Sequence, residues 1–320
     1  MPKVSVIIPS FNASKYVDRC LSALENQVFK DFEIIVIDDC STDDTVSKIE
    51  AWKEKSTLSI HLLQNEMNSG PAHSRNKGIS HATGNLIAFC DIDDWYDENY
   101  LSEMVKAQSS NNADMVFCGY KLVFDSGKKI LHALDAPFEN TNNIKDVLLL
   151  GVDSLCTLIV RKEIISKIPQ PDIRNGEDMA IIPLVIVQSR MFAFIKKQMY
   201  NYYCRSGSAS TTPSLSVIDS LKKSFNHICV NMPDVYAQIT EFIGIKNLLY
   251  GASLNIFKLS YDKGHAKRMI AEFESRFPNW RNNEYITSLP IFKRIFIKSL
   301  SSRCYCLTFF LSKFHKIITT

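Results

Sequence analysis

Three carboxylates crowd the end of a short apolar run, where Leu86-Ile87-Ala88-Phe89-Cys90 leads into Asp91-Ile92-Asp93-Asp94. The run reads as a strand buried on both faces, the kind found in parallel sheets covered by helices. Acids this close repel one another unless a cation sits among them. Their hard oxygens suit Mg2+ or Mn2+, which take one or two protein carboxylates and fill the shell with water and phosphate. Open α/β sheets bind ligands just outside the carboxyl ends of their strands, so the position suits a site as well as the chemistry does. The plainer alternative is a solvated turn, with Asp97 capping a helix over Tyr100–Ala107.

The loops after the first three strands narrow the ligand. A dinucleotide site needs G-x-G-x-x-G after strand one, so that backbone can approach a pyrophosphate. Here that loop is Pro9-Ser10-Phe11-Asn12, without glycine, which argues against NAD. An aromatic at the mouth of the sheet can instead stack on a base. Asp39, ending strand two, can accept a hydrogen bond from a base N–H or a ribose hydroxyl, and Asn68-Ser69-Gly70 follows strand three beside the same crevice. Taken singly, Phe11 reads more readily as core, and Asp38-Asp39 as a helix-start turn with Ser41 as cap; it is the three loops converging on the acidic turn that favour a site.

The elements that must position these loops alternate. Strands are expected at Val4–Pro9, Glu33–Ile37, Leu58–Leu63, the run from Leu86, and Asp114–Cys118. Helices are expected over Lys15–Gln27, from Ser41 through Trp52, from Pro71 to near Gly84, and over Tyr100–Ala107. That alternation implies βαβ units, hence an α/β fold with a mixed, mostly parallel sheet and helices on both faces. Next come a hairpin over Tyr120–Leu134 around Gly127, a helix over Thr141–Leu150, a strand over Leu155–Val160 and a helix over Lys162–Ile168. From Leu215 the pattern is wholly helical, and a soft boundary falls in the polar run Arg205–Ser216.

Composition sets bounds. With 320 residues, 46% hydrophobic and 22% charged, the chain can bury a substantial core. Nine scattered cysteines without a C-x-x-C pair fit a reducing compartment. The N-terminus opens directly into a strand-like run, and no stretch approaches bilayer length, so a cytoplasmic location is expected. The net charge of +3 is local: residues 291–320 carry six Lys or Arg and no acid, leaving 31 basic against 34 acidic residues elsewhere.

Taken together, Pro9-Ser10-Phe11-Asn12, Ile37-Asp38-Asp39-Cys40-Ser41-Thr42-Asp43, Asn68-Ser69-Gly70, Ala72-His73-Ser74-Arg75-Asn76-Lys77-Gly78-Ile79 and Asp91-Ile92-Asp93-Asp94 resemble the family 2 glycosyltransferases, inverting enzymes of the GT-A fold. The likeness covers about residues 3–210. It implies a nucleotide-sugar-binding half over 1–120 and an acceptor-side half over 121–212, with 213–320 as a helical extension. It also implies that Phe11 and Asp39 hold the uracil of a UDP-sugar, with Pro9, Asn12, Asn68, Asp91 and Ile92 around the donor. Asp91 would contact ribose or sugar, and Asp93, together with Asp91, would hold Mn2+ or Mg2+ on the diphosphate. Arg75 and Asn76 would brace the site, Arg75 through an ion pair.

The chemistry asks for one more acid. A nucleoside diphosphate is already a good leaving group, so inversion needs only a carboxylate on the opposite face of the sugar to deprotonate the acceptor hydroxyl. Asn175-Gly176-Glu177-Asp178 can supply it. The resemblance puts the base on Asp178, with Glu177 orienting base or acceptor. Pro183 lies past the tolerated first turn and is expected to kink that helix or delay its start. Arg205 is a candidate for the diphosphate, within a segment through Ser206-Gly207-Ser208 that resembles the family's closing loop. Acceptor contacts are expected at Ser154–Thr157, where a frequent family tryptophan or lysine is missing.

Residues 291–318 project as a basic amphipathic helix, with Phe292, Phe296, Leu300, Leu307, Phe310, Leu311, Phe314 and Ile318 on one face. Such a helix either rests on the anionic cytoplasmic face of the inner membrane or docks on its neighbours. The function expected is metal-dependent hexosyl transfer from a UDP-sugar to a glycan or lipid-linked acceptor, with no nucleic-acid partner. The rival reading is a non-catalytic nucleotide-sugar binder tethered to membrane, which would have no use for Asp178.

Overall fold

The computed structural model describes residues 2–169, 171, 173, 176–205, 214–260 and 262–319. The chain divides into two compact units, Met1–Ser208 and Ala209–Thr320.

The first unit is built on a ten-stranded sheet. Strands β1 (Val4–Ser10), β2 (Phe32–Asp38), β3 (Ser59–Gln64) and β4 (Leu86–Phe89) pair in parallel in the order β3-β2-β1-β4. All residues of β1, β2 and β4 are buried, which is why their sequences run apolar without polar alternation. Helices α1 (Val17–Glu25), α2 (Thr45–Lys55) and α3 (Pro71–His81) make the crossovers. Gly78 lets α3 lie against the sheet: a Cβ there would sit 2.5 Å from Ile7 Cγ2 and 2.9 Å from Ile37 Cδ1.

Beyond β4 come β5 (Trp95–Tyr96), α4 (Tyr100–Asn111), β6 (Met115–Phe124), β7 (Lys129–His132), β8 (Asn140–Thr141) and α5 (Ile144–Leu150). They are followed by β9 (Leu158–Arg161), α6 (Lys162–Ile165), α7 (Glu177–Gln188) and β10 (Phe192–Cys204). β9 lies antiparallel between β4 and β6, and β10 runs parallel to β6. β6 and β7 form the hairpin expected around Gly127.

The structure departs from the sequence reading at several places in this unit. The strand expected from Leu155 starts at Leu158, because Leu155–Thr157 turn as a 3-10 segment capped by Ser154 Oγ, which accepts from the Cys156 N–H at 3.3 Å. The helix at Lys162 stops at Ile165 rather than Ile168. α7 starts at Glu177 and runs on through Pro183, so the start is not delayed. Proline forfeits one N–H there, while Ala180, Ile181, Ile182, Leu184, Val185 and Ile186 are all buried and hold the helix in place. β10, unexpected, is the longest strand of the sheet.

The second unit is helical, as expected: α8 (Leu215–Asn231), α9 (Ala237–Gly244), a π-helical segment Ile245–Ala252, α10 (Ser253–Leu259), α11 (Lys263–Arg276), α12 (Ile291–Ser301) and α13 (Tyr305–Thr319). The single helix expected over 291–318 is corrected to the last two of these. Arg303 takes the left-handed conformation (φ 57°), and the Cys304 N–H returns to the Ser299 carbonyl at 2.9 Å. This is a Schellman-type stop, made here without glycine. Among the described residues, no helix is long and apolar enough to cross a membrane.

Candidate active site

β1 lies between β2 and β4, so the chain leaves β1 toward one side and returns to the other. The crevice at such a reversal is where open α/β sheets bind ligands. The loops after β1, β2 and β4 all open there, and each is fixed by its neighbours.

Asn12, in the left-handed region at φ 46°, receives the Thr42 N–H on Oδ1 at 2.8 Å and donates its own N–H to Ser41 Oγ at 2.9 Å. Asp43 accepts from the N–H groups of Ser14 and Thr45, both at 3.1 Å, and these and its other bonds hold its carboxyl down at about 2 against the cost of burial. The β1 and β2 loops are thus sewn together, with Pro9 buried beneath and Phe11 standing out at 48% exposure. Asp39 is spent on the next loop. Its Oδ1 accepts from Asn65 Nδ2 (2.8 Å) and the Ser69 N–H (2.9 Å), its Oδ2 accepts from the Gly70 N–H (2.7 Å), and Asn68 Nδ2 reaches its backbone carbonyl (3.3 Å). Asp39 is 4% exposed, so its carboxylate organises the mouth of the crevice more than it faces into it.

At the centre is Arg75 on α3, 6% exposed. Its Nη2 meets Asp91 Oδ1 at 2.5 Å, its Nη1 is in direct contact with Glu177, and Asp178 Oδ1 lies 3.9 Å from Nη1. Burial alone would depress the guanidinium's pKa, but the Asp91 and Asp178 carboxylates more than offset it. One side chain thereby brings the end of β4 and the start of α7 to the same place. Gly176, at φ 83°, makes the turn into α7 that an L side chain would strain. Asn175 and Ser206–Ser208 lie outside the described residues.

Asp178 is 23% exposed at its side chain. Oδ2 accepts the Leu155 N–H at 3.3 Å, whereas Oδ1 accepts no hydrogen bond among the described residues. Burial pushes its pKa up to about 6, opposed by Arg75 and reinforced by Asp91 and, more weakly, Asp153. The Leu155 contact sets the expected acceptor segment beside this carboxylate.

The three acids after β4 divide. Asp91 faces Arg75. Asp94, 1% exposed, takes the Tyr200 hydroxyl at 2.5 Å and the Tyr203 N–H at 2.7 Å. Burial, then Asp91 and Asp93, push its pKa well above the usual range, opposed by the hydrogen bonds from Tyr200 and Tyr203. Asp93 pairs with Arg205 at 3.2 Å, and its carboxyl is raised by burial and by Asp91. Ile92 is packed away, 7% exposed. The Asp97 carboxylate goes to Lys121 (2.5 Å) and Asn201 (2.8 Å), and α4 has no side-chain cap.

These facts bear on the expected metal. Among the described residues, no cluster of three or more His, Cys, Asp or Glu is arranged to hold an ion. Asp93 is nonetheless a hard donor, set beside Asp91 with Arg205 as its ion-pair partner. It suits a Mg2+ or Mn2+ that draws most of its shell from a diphosphate and water.

The sequence reading missed Arg19 on α1. Its guanidinium lies between the rings of Trp95 (4.3 Å) and Tyr203 (4.1 Å), and Nη2 donates to the Asp93 carbonyl at 2.6 Å. It also missed Asn65, Tyr200 and Tyr203. In an amphipathic helix an arginine at this position reads as solvated, and β10 itself was not expected, so neither carried a signal.

A model of the glycosyl transferase family 2 matches residues 5–168. The chain is 32% identical over 179 residues to the Bacillus subtilis protein TuaG, whose name places it in teichuronic acid biosynthesis as a glycosyltransferase; the alignment takes in 56% of this chain and 70% of TuaG. It is 26% identical over 343 residues to the cholesterol galactosyltransferase of Borreliella burgdorferi, covering 95% of this chain and 94% of that one. The fold is that of residues 1–349 of Staphylococcus aureus TarS, solved with UDP: TM-score 0.70 at 19% identity over 98% of this chain and 91% of that one. In sequence, the match takes in 44% of whole TarS, named as a poly(ribitol-phosphate) beta-N-acetylglucosaminyltransferase. The sheet order and the helices over both units make this a GT-A fold with a helical C-terminal region.

Removing the central cation leaves buried carboxylates uncompensated. Arg75→Met is expected to lower the free energy of unfolding by about 3–5 kcal/mol, read from urea denaturation. A loss below ~1 kcal/mol would mean that the carboxylates are solvated and the hub is not one.

Proposed function

The chain belongs to the glycosyl transferase family 2, and from that premise we propose that it is an inverting, metal-dependent transferase moving a hexosyl unit from a UDP-sugar to a hydroxyl of a glycan or lipid-linked acceptor. Glycosyl transfer from a nucleotide sugar is the activity of the family; the finer terms are our reading. The observation that carries it is Arg75 holding Asp91 and the Glu177-Asp178 pair around one crevice.

In this reading Phe11 stacks on the uracil, since a phenylalanine 48% exposed at the mouth of a sheet gains by being covered. Pro9, Asn12, Asp39 and Asn68 shape the base and ribose end, and the Asp91–Asp93 turn meets the sugar and diphosphate. Asp93 would hold the divalent ion, whose contribution is to neutralise charge on the departing diphosphate. Arg205 adds a guanidinium on the same side.

Asp178 is the general base. The Leu155 N–H orients its carboxylate through Oδ2, and with Oδ1 buried and the side chain 23% exposed, the acceptor's proton would be taken on the exposed side. Glu177 is engaged by Arg75 and holds the start of α7. Ser154–Thr157 lies on the acceptor side, against Asp178. A lipid acceptor accords with the Borreliella relative, named for cholesterol as its acceptor.

Asp178→Asn is expected to lower kcat by about 10²–10⁴-fold while calorimetric UDP affinity stays at the wild-type value. Wild-type turnover in that variant would sink the assignment. Because the Asp178 pKa is raised to about 6 and the base works ionised, kcat/KM should climb through that pH and fall about tenfold per unit below it. The groups facing Asp178 are Arg75, Glu177, Asp91 and Asp153, and the acidic limb should vanish from the Asn variant's residual rate. Asp93→Ala should weaken UDP binding in the presence of Mn2+ and leave it unchanged in EDTA. Equal weakening in both would assign Asp93 a purely structural part.

A further inference from the structure

We propose that the outer face of α13 is a docking surface for an anionic lipid bilayer. The helix is turned the wrong way round for one that serves only its own fold. Its inward side is Tyr305, Thr308 and Ser312, exposed by 7%, 0% and 2%. The hydroxyls are satisfied there: Thr308 Oγ1 lies 2.9 Å from Ser299 Oγ, and Ser312 donates to the Phe309 carbonyl at 2.7 Å. Leu307, Phe310 and Phe314 therefore share the opposite stripe at helical spacing, and they are 43%, 58% and 38% exposed. The rings of Phe310 and Phe314 are 4.5 Å apart, so they form one ridge rather than scattered contacts. α12 behaves in the opposite way, burying Phe292, Phe296 and Leu300 in its own unit. It is the anchor, and α13 carries the open face.

Charge identifies what covers that face. Residues 291–320 hold six Lys or Arg and no Asp or Glu, and Arg294, Lys298, Arg303 and Lys313 are exposed. A second copy docked through the same face would bring together two terminal segments whose cations have no acid within the segment to answer them. An anionic leaflet offers both things the face needs, a negative surface for the cations and an apolar layer for the rings. Since no described helix is long and apolar enough to cross a bilayer, α13 would lie along the surface.

The test uses the full chain without donor or acceptor, sedimented with vesicles of phosphatidylcholine alone or mixed with phosphatidylglycerol. Binding is expected to the mixed vesicles only, weakening as salt rises. Phe310→Asp with Phe314→Asp should weaken it more than about tenfold, and Arg294→Gln and Lys298→Gln about fivefold each. Both pairs should keep the wild-type melting temperature and UDP affinity, because these side chains are exposed. The proposal is overturned if neither vesicle binds, if neutral and mixed vesicles bind alike, or if the aspartates abolish self-association instead. UDP affinity reads the transferase site separately, so a failure here leaves the proposed function standing.

Discussion

Arg75 is 6% exposed and faces carboxylates from two distant parts of the chain, Asp91 after β4 and Glu177 and Asp178 at the start of α7. Removing such charges from water is costly, and the cost is recovered only when the geometry is close and the remaining donors are used. A guanidinium meets the first of these conditions better than an ammonium, because its fork reaches Asp91 with one nitrogen and Glu177 with the other, while its buried Nε finds no hydrogen-bond partner among the described residues. The acidic turn and the acidic helix start could not otherwise be neighbours, since their like charges would drive them apart. The crevice is therefore set as much by electrostatic balance as by the sheet.

Around that hub the side chains fall into two groups. Asn12, Asp39, Asp43 and Asp94 spend their polar atoms inside the protein, tying loop to loop. Phe11 and Asp178 Oδ1 are left without such a partner among the described residues. Burying a polar atom unpaired and exposing a large ring both cost free energy. Loops this heavily cross-linked start out close to the shape they need, which reduces the ordering entropy charged to binding.

The sheet's nucleotide side was readable because fully buried parallel strands leave uninterrupted apolar runs. β1, β2 and β4 have that form and end in the polar residues that mark the crevice. The crowded carboxylates at Asp91 and Asp93 stood out by their mutual repulsion, whereas Asp178, which alone reads as a helix cap, was reached through the chemistry's need for a base and the family resemblance. What stayed hidden depended on partners distant in sequence. β10 has no clean period of two because Lys196-Lys197-Gln198 interrupts it where its register with β6 shifts. Without β10, nothing marked Tyr200 and Tyr203 as the partners of Asp94. Arg19 looked like a surface residue of α1 because its stacking partners, Trp95 and Tyr203, come from β5 and β10. The break at Arg303 was missed for a different reason: a left-handed stop made without glycine leaves no mark in a hydrophobic pattern.

β10 also explains how a rigid turn can carry one loosely held side chain. Asp94 is pinned from behind by Tyr200 and by the Tyr203 N–H, and Arg19 fixes the carbonyl of Asp93, so the backbone of the turn is held on both sides. Among the described residues the ion-pair partner of the Asp93 side chain is Arg205, whose own side chain is 45% exposed at the end of the same strand. An ion pair that open is worth about 0–1 kcal/mol.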